Sequence, residues 1–112
     1  MYIWSSIKTE KYYRMAWKLL TIEKSPHKNK KLRATFRDTE TEKLKHTDFG
    51  SAGMDDFLHT KDIAQREKYR KRHAKDLLTQ DPTRAGFLSY YLLWNKDSMA
   101  ASLDDYKRRF HM

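Results

Sequence analysis

The stretch that most constrains this chain runs from Asp81 to Phe110. Phe87, Leu88, Tyr90, Tyr91, Leu92, Leu93 and Trp94 follow one another so closely that a helix here is apolar on most of its faces and has to be covered by neighbours. Asp81 followed by Pro82 reads as its start, since Asp caps free amides and Pro fits the first helical position. Trp94 and Asn95 read as its end, Asn being tolerated where φ turns positive. The next segment carries Met99, Leu103, Tyr106 and Phe110 at steps of four, three and four, one stripe of a second helix whose other face holds Asp104, Asp105, Lys107 and Arg108. Lys107, Arg108 and Arg109 suit the negative end of that helix. The pair predicts a helical hairpin that anchors a core.

The rest of the chain has to supply the other side of that core from modest means. Only 38% of its 112 residues are hydrophobic and 35% are charged, so the core is concentrated in few segments and leans on aromatic rings, which bury a large area each. The length is that of one domain. With no cysteine, disulfides, thiolate metal sites and cysteine nucleophiles are excluded. No apolar run approaches the roughly 18 residues of a membrane span. The start, MYIWSSIKTEKYYR, lacks the apolar region and cleavage site of a secretory signal, which leads us to expect synthesis in the cytoplasm.

Residues 1–13 form an aromatic arm in which Tyr2, Ile3, Trp4 and Ile7 follow no clear period; they either tuck against the domain or dock on another subunit. The domain proper is expected over 14–112. Arg14 to Glu23 reads as a strand, with Met15, Trp17, Leu19 and Thr21 on one face and Ala16, Lys18, Leu20 and Ile22 on the other. Lys31 to Asp38 is a clearer strand, because Leu32, Ala34 and Phe36 alternate with Arg33, Thr35 and Arg37. Lys43 to Phe49 returns as its hairpin partner, and Gly50 and Gly53 break the sheet. Met54 to Asp62 reads as a connector, with Thr60 or Asp62 placed to cap the next helix. Ile63 to Thr79 has no Gly or Pro and only a thin apolar stripe, Ile63, Ala64, Tyr69, Ala74, Leu77 and Leu78; its other faces are basic. The predicted fold is α+β: a small antiparallel β-sheet, made of a hairpin plus a third strand, followed by a basic helix and a C-terminal helical hairpin.

The formal charge is +9, from 24 Lys and Arg against 15 Asp and Glu, which favours an anionic partner. The main candidate site is the basic helix. Arg66, Lys68, Arg70, Arg72 and Lys75 neutralise phosphates in a sequence-tolerant, salt-sensitive way, Tyr69 among them offers a ring to stack on a base, and Arg33 and Arg37 of the sheet add to the surface. A solvated face, or one docked on acidic protein, is the alternative use of the same residues.

Chemistry beyond binding has little to build on. His59 and His73 lie near Asp55, Asp56 and Asp62, but their spacing matches no metal-ligand pattern. Ser89 and Ser102 lack the strained turn and partners of a nucleophile. The GSAG of Gly50 to Gly53 is followed by no phosphate-cradling motif. The expectation is a protein that is not an enzyme, with no cofactor, no metal and no small-molecule substrate.

Several blocks of the chain resemble a small protein family encoded mainly by nucleocytoplasmic large DNA viruses and also found in some algae. They are KKLRATF (Lys30 to Phe36), HTDFGSAGMDDF (His46 to Phe57), YRKRH (Tyr69 to His73), RAGFLS (Arg84 to Ser89), LLWNK (Leu92 to Lys96) and SLDDYKRRF (Ser102 to Phe110). The resemblance implies a virion protein, a minor capsid component that bridges larger capsid proteins or meets the packaged genome. On that reading Tyr2, Ile3, Trp4 and Ile7 dock in apolar pockets of larger subunits, and the basic faces meet acidic ones or nucleic acid.

Overall fold

A computed structural model of the protein describes residues 17–112. The aromatic arm with Tyr2, Ile3, Trp4 and Ile7, and the first three residues of the strand expected from Arg14, lie outside the described residues. Three strands form an antiparallel meander in the order β1 (Trp17–Lys24), β2 (Lys30–Asp38) and β3 (Leu44–Ser51). Helices come after the sheet: a single turn α1 (Phe57–Thr60), α2 (Ile63–His73) running into a 3-10 segment (Ala74–Thr79), α3 (Ala85–Leu88) continuing as a π-helical turn (Ser89–Leu93), and α4 (Met99–Phe110). This is the α+β arrangement the sequence predicts.

In β2 the expected alternation holds. Ala34 and Phe36 are fully buried, while Arg33, Thr35 and Arg37 project from the opposite face, where Arg33 pairs across to Asp48 and Thr35 to His46. In β1 neither strict alternation is correct. The register slips between Leu19 and Thr21, so Leu20 is an extra residue, a β-bulge that moves the phase by one. Trp17, Leu19 and Ile22 thereby all face the core, and Leu20 and Thr21 are exposed. The strand escapes its own phase conflict by this insertion.

The sheet also runs further than its glycines suggest. β3 continues through Gly50 to Ser51, with Gly50 at φ +78°, a conformation open to glycine at little cost. A Cβ there would lie 2.8 Å from a methyl of Leu93, so the missing side chain also lets the helical layer press onto the strand. The expected connector holds α1, capped by Asp56, whose side chain accepts from the amide of His59. Asp62 caps α2 in the same way, accepting from Gln65.

The helical hairpin closes the core over the sheet. Leu88, Leu92, Leu93, Trp94 and Tyr106 are buried with Ala34, Phe36 and Phe49, and Met99, Leu103 and Phe110 pack against them. The first helix of the pair begins later than expected, at Ala85 with Arg84 as cap residue. Asp81 spends its side chain on Thr83 instead, accepting from the amide at 3.0 Å and from the hydroxyl at 2.7 Å; such a local turn competes with a helix start. Pro82 is buried, and its carbonyl accepts from the Tyr106 hydroxyl at 2.6 Å. Burial there pushes the Tyr106 phenol above its ordinary pKa. Ser98 caps α4 by accepting from Ala101.

Candidate functional site

The basic helix α2 carries no fully buried side chain, and of its expected apolar stripe Tyr69 packs against the core while Ile63 is 60% exposed and Leu78, beyond the helix, 81%. What docks it is a polar set at steps of three, one and three. Arg66, Tyr69, Arg70 and His73 share one helix face by this spacing. Arg70 donates through Nη1 to the carbonyls of Tyr90 at 3.1 Å and Trp94 at 2.7 Å, with its guanidinium 3.9 Å from the centre of the Tyr90 ring. Arg66 donates to the carbonyl of Asn95 at 3.1 Å and lies over the Phe57 ring. Just before the helix, the Lys61 ammonium donates to the carbonyl of Asp97.

These carbonyls belong to the end of the first hairpin helix and the loop after it. A helix end leaves carbonyls without intrahelical partners, and here the π turn, closed by the Trp94 amide on the Ser89 carbonyl at 3.1 Å, presents them to α2. Cations at a helix C-terminus are also favoured by its dipole. The other side of the loop is fastened by α4. Asn95 donates to Asp105 at 2.7 Å, Arg109 donates to the same carboxylate oxygen at 2.8 Å, and the Lys96 amide donates to Ser102 at 3.0 Å. Burial works against the Asp105 carboxylate, but the Arg109 and Asn95 hydrogen bonds outweigh it and hold its pKa below the ordinary value.

Tyr69 is the middle of a three-ring column. Its centroid is 4.4 Å from that of Trp94, with planes 10° apart, and 4.1 Å from that of His73, with planes 24° apart. Both faces of the Tyr69 ring are therefore occupied within the chain, and the ring that ends the column is His73. Burial raises the Tyr69 pKa against the opposing hydrogen bond from Ser89. His73 also meets Asp76 through Nδ1 at 3.1 Å.

Roughly opposite the docked face, at about 100° of rotation per residue, lies a second set with the same spacing: Lys68, Lys71, Arg72 and, just past the helix, Lys75. All four are exposed, and among the described residues none of them has an acidic partner. The two sheet arginines are placed differently. Arg33 forms a two-pronged pair with Asp48 at 2.9 and 3.1 Å, and Arg37 pairs with Glu42 at 2.9 Å. Both lie on the sheet face turned away from the helices. The structure thus divides the sequence-derived site: Arg66, Tyr69 and Arg70 hold the fold, Arg33 and Arg37 are paired on the far face, and Lys68, Arg72 and Lys75, with Lys71, remain free of acidic partners among the described residues.

Sequence reasoning missed the docking face because its members are cations and rings, which read as surface. Their heptad-like spacing was the available signal. It also missed Lys30, at the start of β2, which with α2 lines a groove of roughly 680 Å³ that Tyr69 and Trp94 also border. A second depression of about 580 Å³ lies around Lys45 and Asp81. Its cations are engaged, Lys45 with Thr83 at 2.7 Å and Arg84 with Asp81 at 3.6 Å.

Among the described residues no group of three or more His, Asp or Glu side chains is gathered to hold a metal ion, and no helix is long and apolar enough to cross a membrane. His59 lies 4.0 Å from Asp55 at the surface.

Residues 20–73 match the model of a family of unknown function (DUF5754). The match covers just under half the chain, from the bulge in β1 to the last residue of α2, and so includes Lys30, both helix faces up to His73 and none of the helical hairpin. Neither a curated protein nor a solved structure matches the chain.

Proposed function

We propose that the protein is a non-enzymatic nucleic-acid-binding protein that grips phosphate through the outward face of α2. The observation that carries this reading is the division of the helix. One face is fixed to the domain by Arg66, Tyr69, Arg70 and His73, so that Lys68, Lys71, Arg72 and Lys75 are held outward without acidic partners among the described residues. Cations positioned this way displace condensed counterions from a nucleic-acid backbone, giving affinity that tolerates any sequence and weakens steeply with salt. The net charge of +9 acts in the same direction by raising encounter rates with polyanions. Fluorescence anisotropy with labelled oligonucleotides of unrelated sequence, repeated over a salt series, tests it. Tight binding at low salt that falls steeply and equally for all sequences supports the reading, and negligible binding at the lowest salt ends it.

A second reading is a minor capsid component that bridges larger capsid proteins in a large DNA virus particle, reached after synthesis in the host cytoplasm. The family resemblance is one support. Another is that Leu20, Leu44 and Met54 are left 46%, 59% and 66% exposed, side chains that a protein partner would cover more readily than nucleic acid. Quantitative mass spectrometry of purified particles tests it: a fixed ratio to the major capsid protein supports the role, and absence from intact particles removes it.

A further inference from the structure

The groove between the start of β2 and α2 has a makeup that the helix face alone does not. Lys30 stands on one wall, Lys68 and Arg72 on the other, and the column of Trp94, Tyr69 and His73 lies between them. Carboxylates line it too, one paired with a lysine and two beside histidines. Asp56 takes the Lys31 ammonium at 2.6 Å, Asp76 takes His73 at 3.1 Å, and Asp55 lies 4.0 Å from His59. Lys30, Lys68 and Arg72 have no such partner among the described residues. The groove therefore offers unspent positive charge on both walls.

The chain has three glycines, and Gly50, Gly53 and Gly86 all line this one groove. At Gly53 a Cβ would meet nothing within 4 Å, so the open space beside that backbone is space a ligand can enter. A Cβ at Gly86 would come 2.9 Å from that of Asp76, which keeps the Asp76 backbone and the start of α3 close together at the groove's rim.

We infer that this groove takes a single-stranded segment of nucleic acid, its phosphates between Lys30 and the Lys68–Arg72 pair and a base extending the ring column at His73. The inference rests on the nucleic-acid reading above and narrows it. A duplex meets the convex outer face of α2, where Lys71 and Lys75 lie, but its paired bases are not free to enter a concave site. A single strand is flexible, exposes its bases, and uses both of the features such sites combine, a cationic track and an aromatic platform. The His73 side chain is about one third exposed, leaving it accessible at the end of the column.

Equilibrium binding of the full chain to a 12-nucleotide single strand and to a 12-base-pair duplex, at one fixed salt concentration, separates the possibilities. The single strand should bind more tightly per phosphate. His73→Ala should weaken it by on the order of tenfold with little change for the duplex, His73→Phe should restore it by keeping a ring, and Lys30→Glu should weaken it selectively from the opposite wall. Circular dichroism melts of each variant show whether the ring column still supports the fold. Duplex binding equal to or tighter than single-strand binding, or a His73→Phe protein no better than His73→Ala when both are folded, overturns the groove proposal and leaves the helix-face reading standing. Failure to bind either oligonucleotide removes both.

Discussion

α2 and α4 are nearly equal in length, 11 and 12 residues, and are held in place by different physics. α4 buries Ser102, Asp105 and Tyr106 and lays Met99, Leu103 and Phe110 against the core; its Phe110 ring meets Phe87, Tyr91 and Tyr106 at 5.1–5.6 Å between centroids. Its position is set by apolar area, which is non-directional and tolerates small shifts, with the buried hydrogen bonds of Ser102, Asp105 and Tyr106 added to it. α2 buries no side chain fully and is set by hydrogen bonds to three carbonyls, a fourth taken by Lys61 just before it, and one ring column. Such contacts are directional and few. A helix docked by long cationic side chains at its inner face is free to be cationic at its outer face as well, whereas an amphipathic helix of the α4 kind has to give a whole face to the core. Because α2 releases less apolar area than α4, its local opening should cost less than that of α4.

The strongest test of that contrast is Leu92→Ala. Leu92 is fully buried between the sheet and the hairpin, and truncation there should cost about 3 kcal/mol, read as a lower urea midpoint for the whole domain. Arg70→Ala should cost less, about 2 kcal/mol, because the two carbonyls it serves lose a charged donor. Its signature should be local: hydrogen exchange should speed up across α2 and change little in β2. Arg70→Lys should rescue only part of this, since an ammonium lacks the flat guanidinium that lies on the Tyr90 ring while its Nη1 serves both carbonyls. If Arg70→Ala instead unfolds the sheet in step with the helix, α2 and α4 are held by the same cooperative core and the contrast between them fails.

Smaller effects sharpen the picture. Tyr106→Phe strips the buried Pro82 carbonyl of its donor and should lower stability by about 1 kcal/mol, one polar contribution to the α4 interface beside those of Ser102 and Asp105. On the sheet's far face, the Arg33 hydrogen bonds, opposed by burial and helped by Ser25, hold Asp48 down at about 2. The unfolded value is near 3.9, so this pair stabilises the fold fully above about pH 4 and the contribution is lost as pH falls towards 2. Asp48→Asn should flatten the stability profile across that window in urea titrations; an unchanged acid limb would show that the pair does not contribute.

Most of the scaffold is legible in the sequence where one period dominates. The alternation of Leu32, Ala34 and Phe36 and the stripe from Met99 to Phe110 each reach the structure intact. β1 was not legible, because its bulge at Leu20 depends on the partner strand, and a single strand's alternation carries no record of it. The late start of α3 comes from Asp81 turning to Thr83, a choice between two local hydrogen-bonding patterns that the same residues allow. The candidate site was half legible. The cations of α2 stand out, but which of them face inward depends on carbonyls presented by the π turn some twenty residues later, so Arg66 and Arg70 read as surface when they are fasteners.

The central claim is that α2 has one face spent on the fold and one available to phosphate. It is tested most directly by neutralising Lys68, Lys71, Arg72 and Lys75 together to Gln and measuring nucleic-acid affinity and the thermal midpoint on the same preparation. The account predicts that affinity collapses and loses its salt dependence while the midpoint stays nearly constant. Unchanged affinity, or a loss of binding that only accompanies a loss of fold, contradicts it.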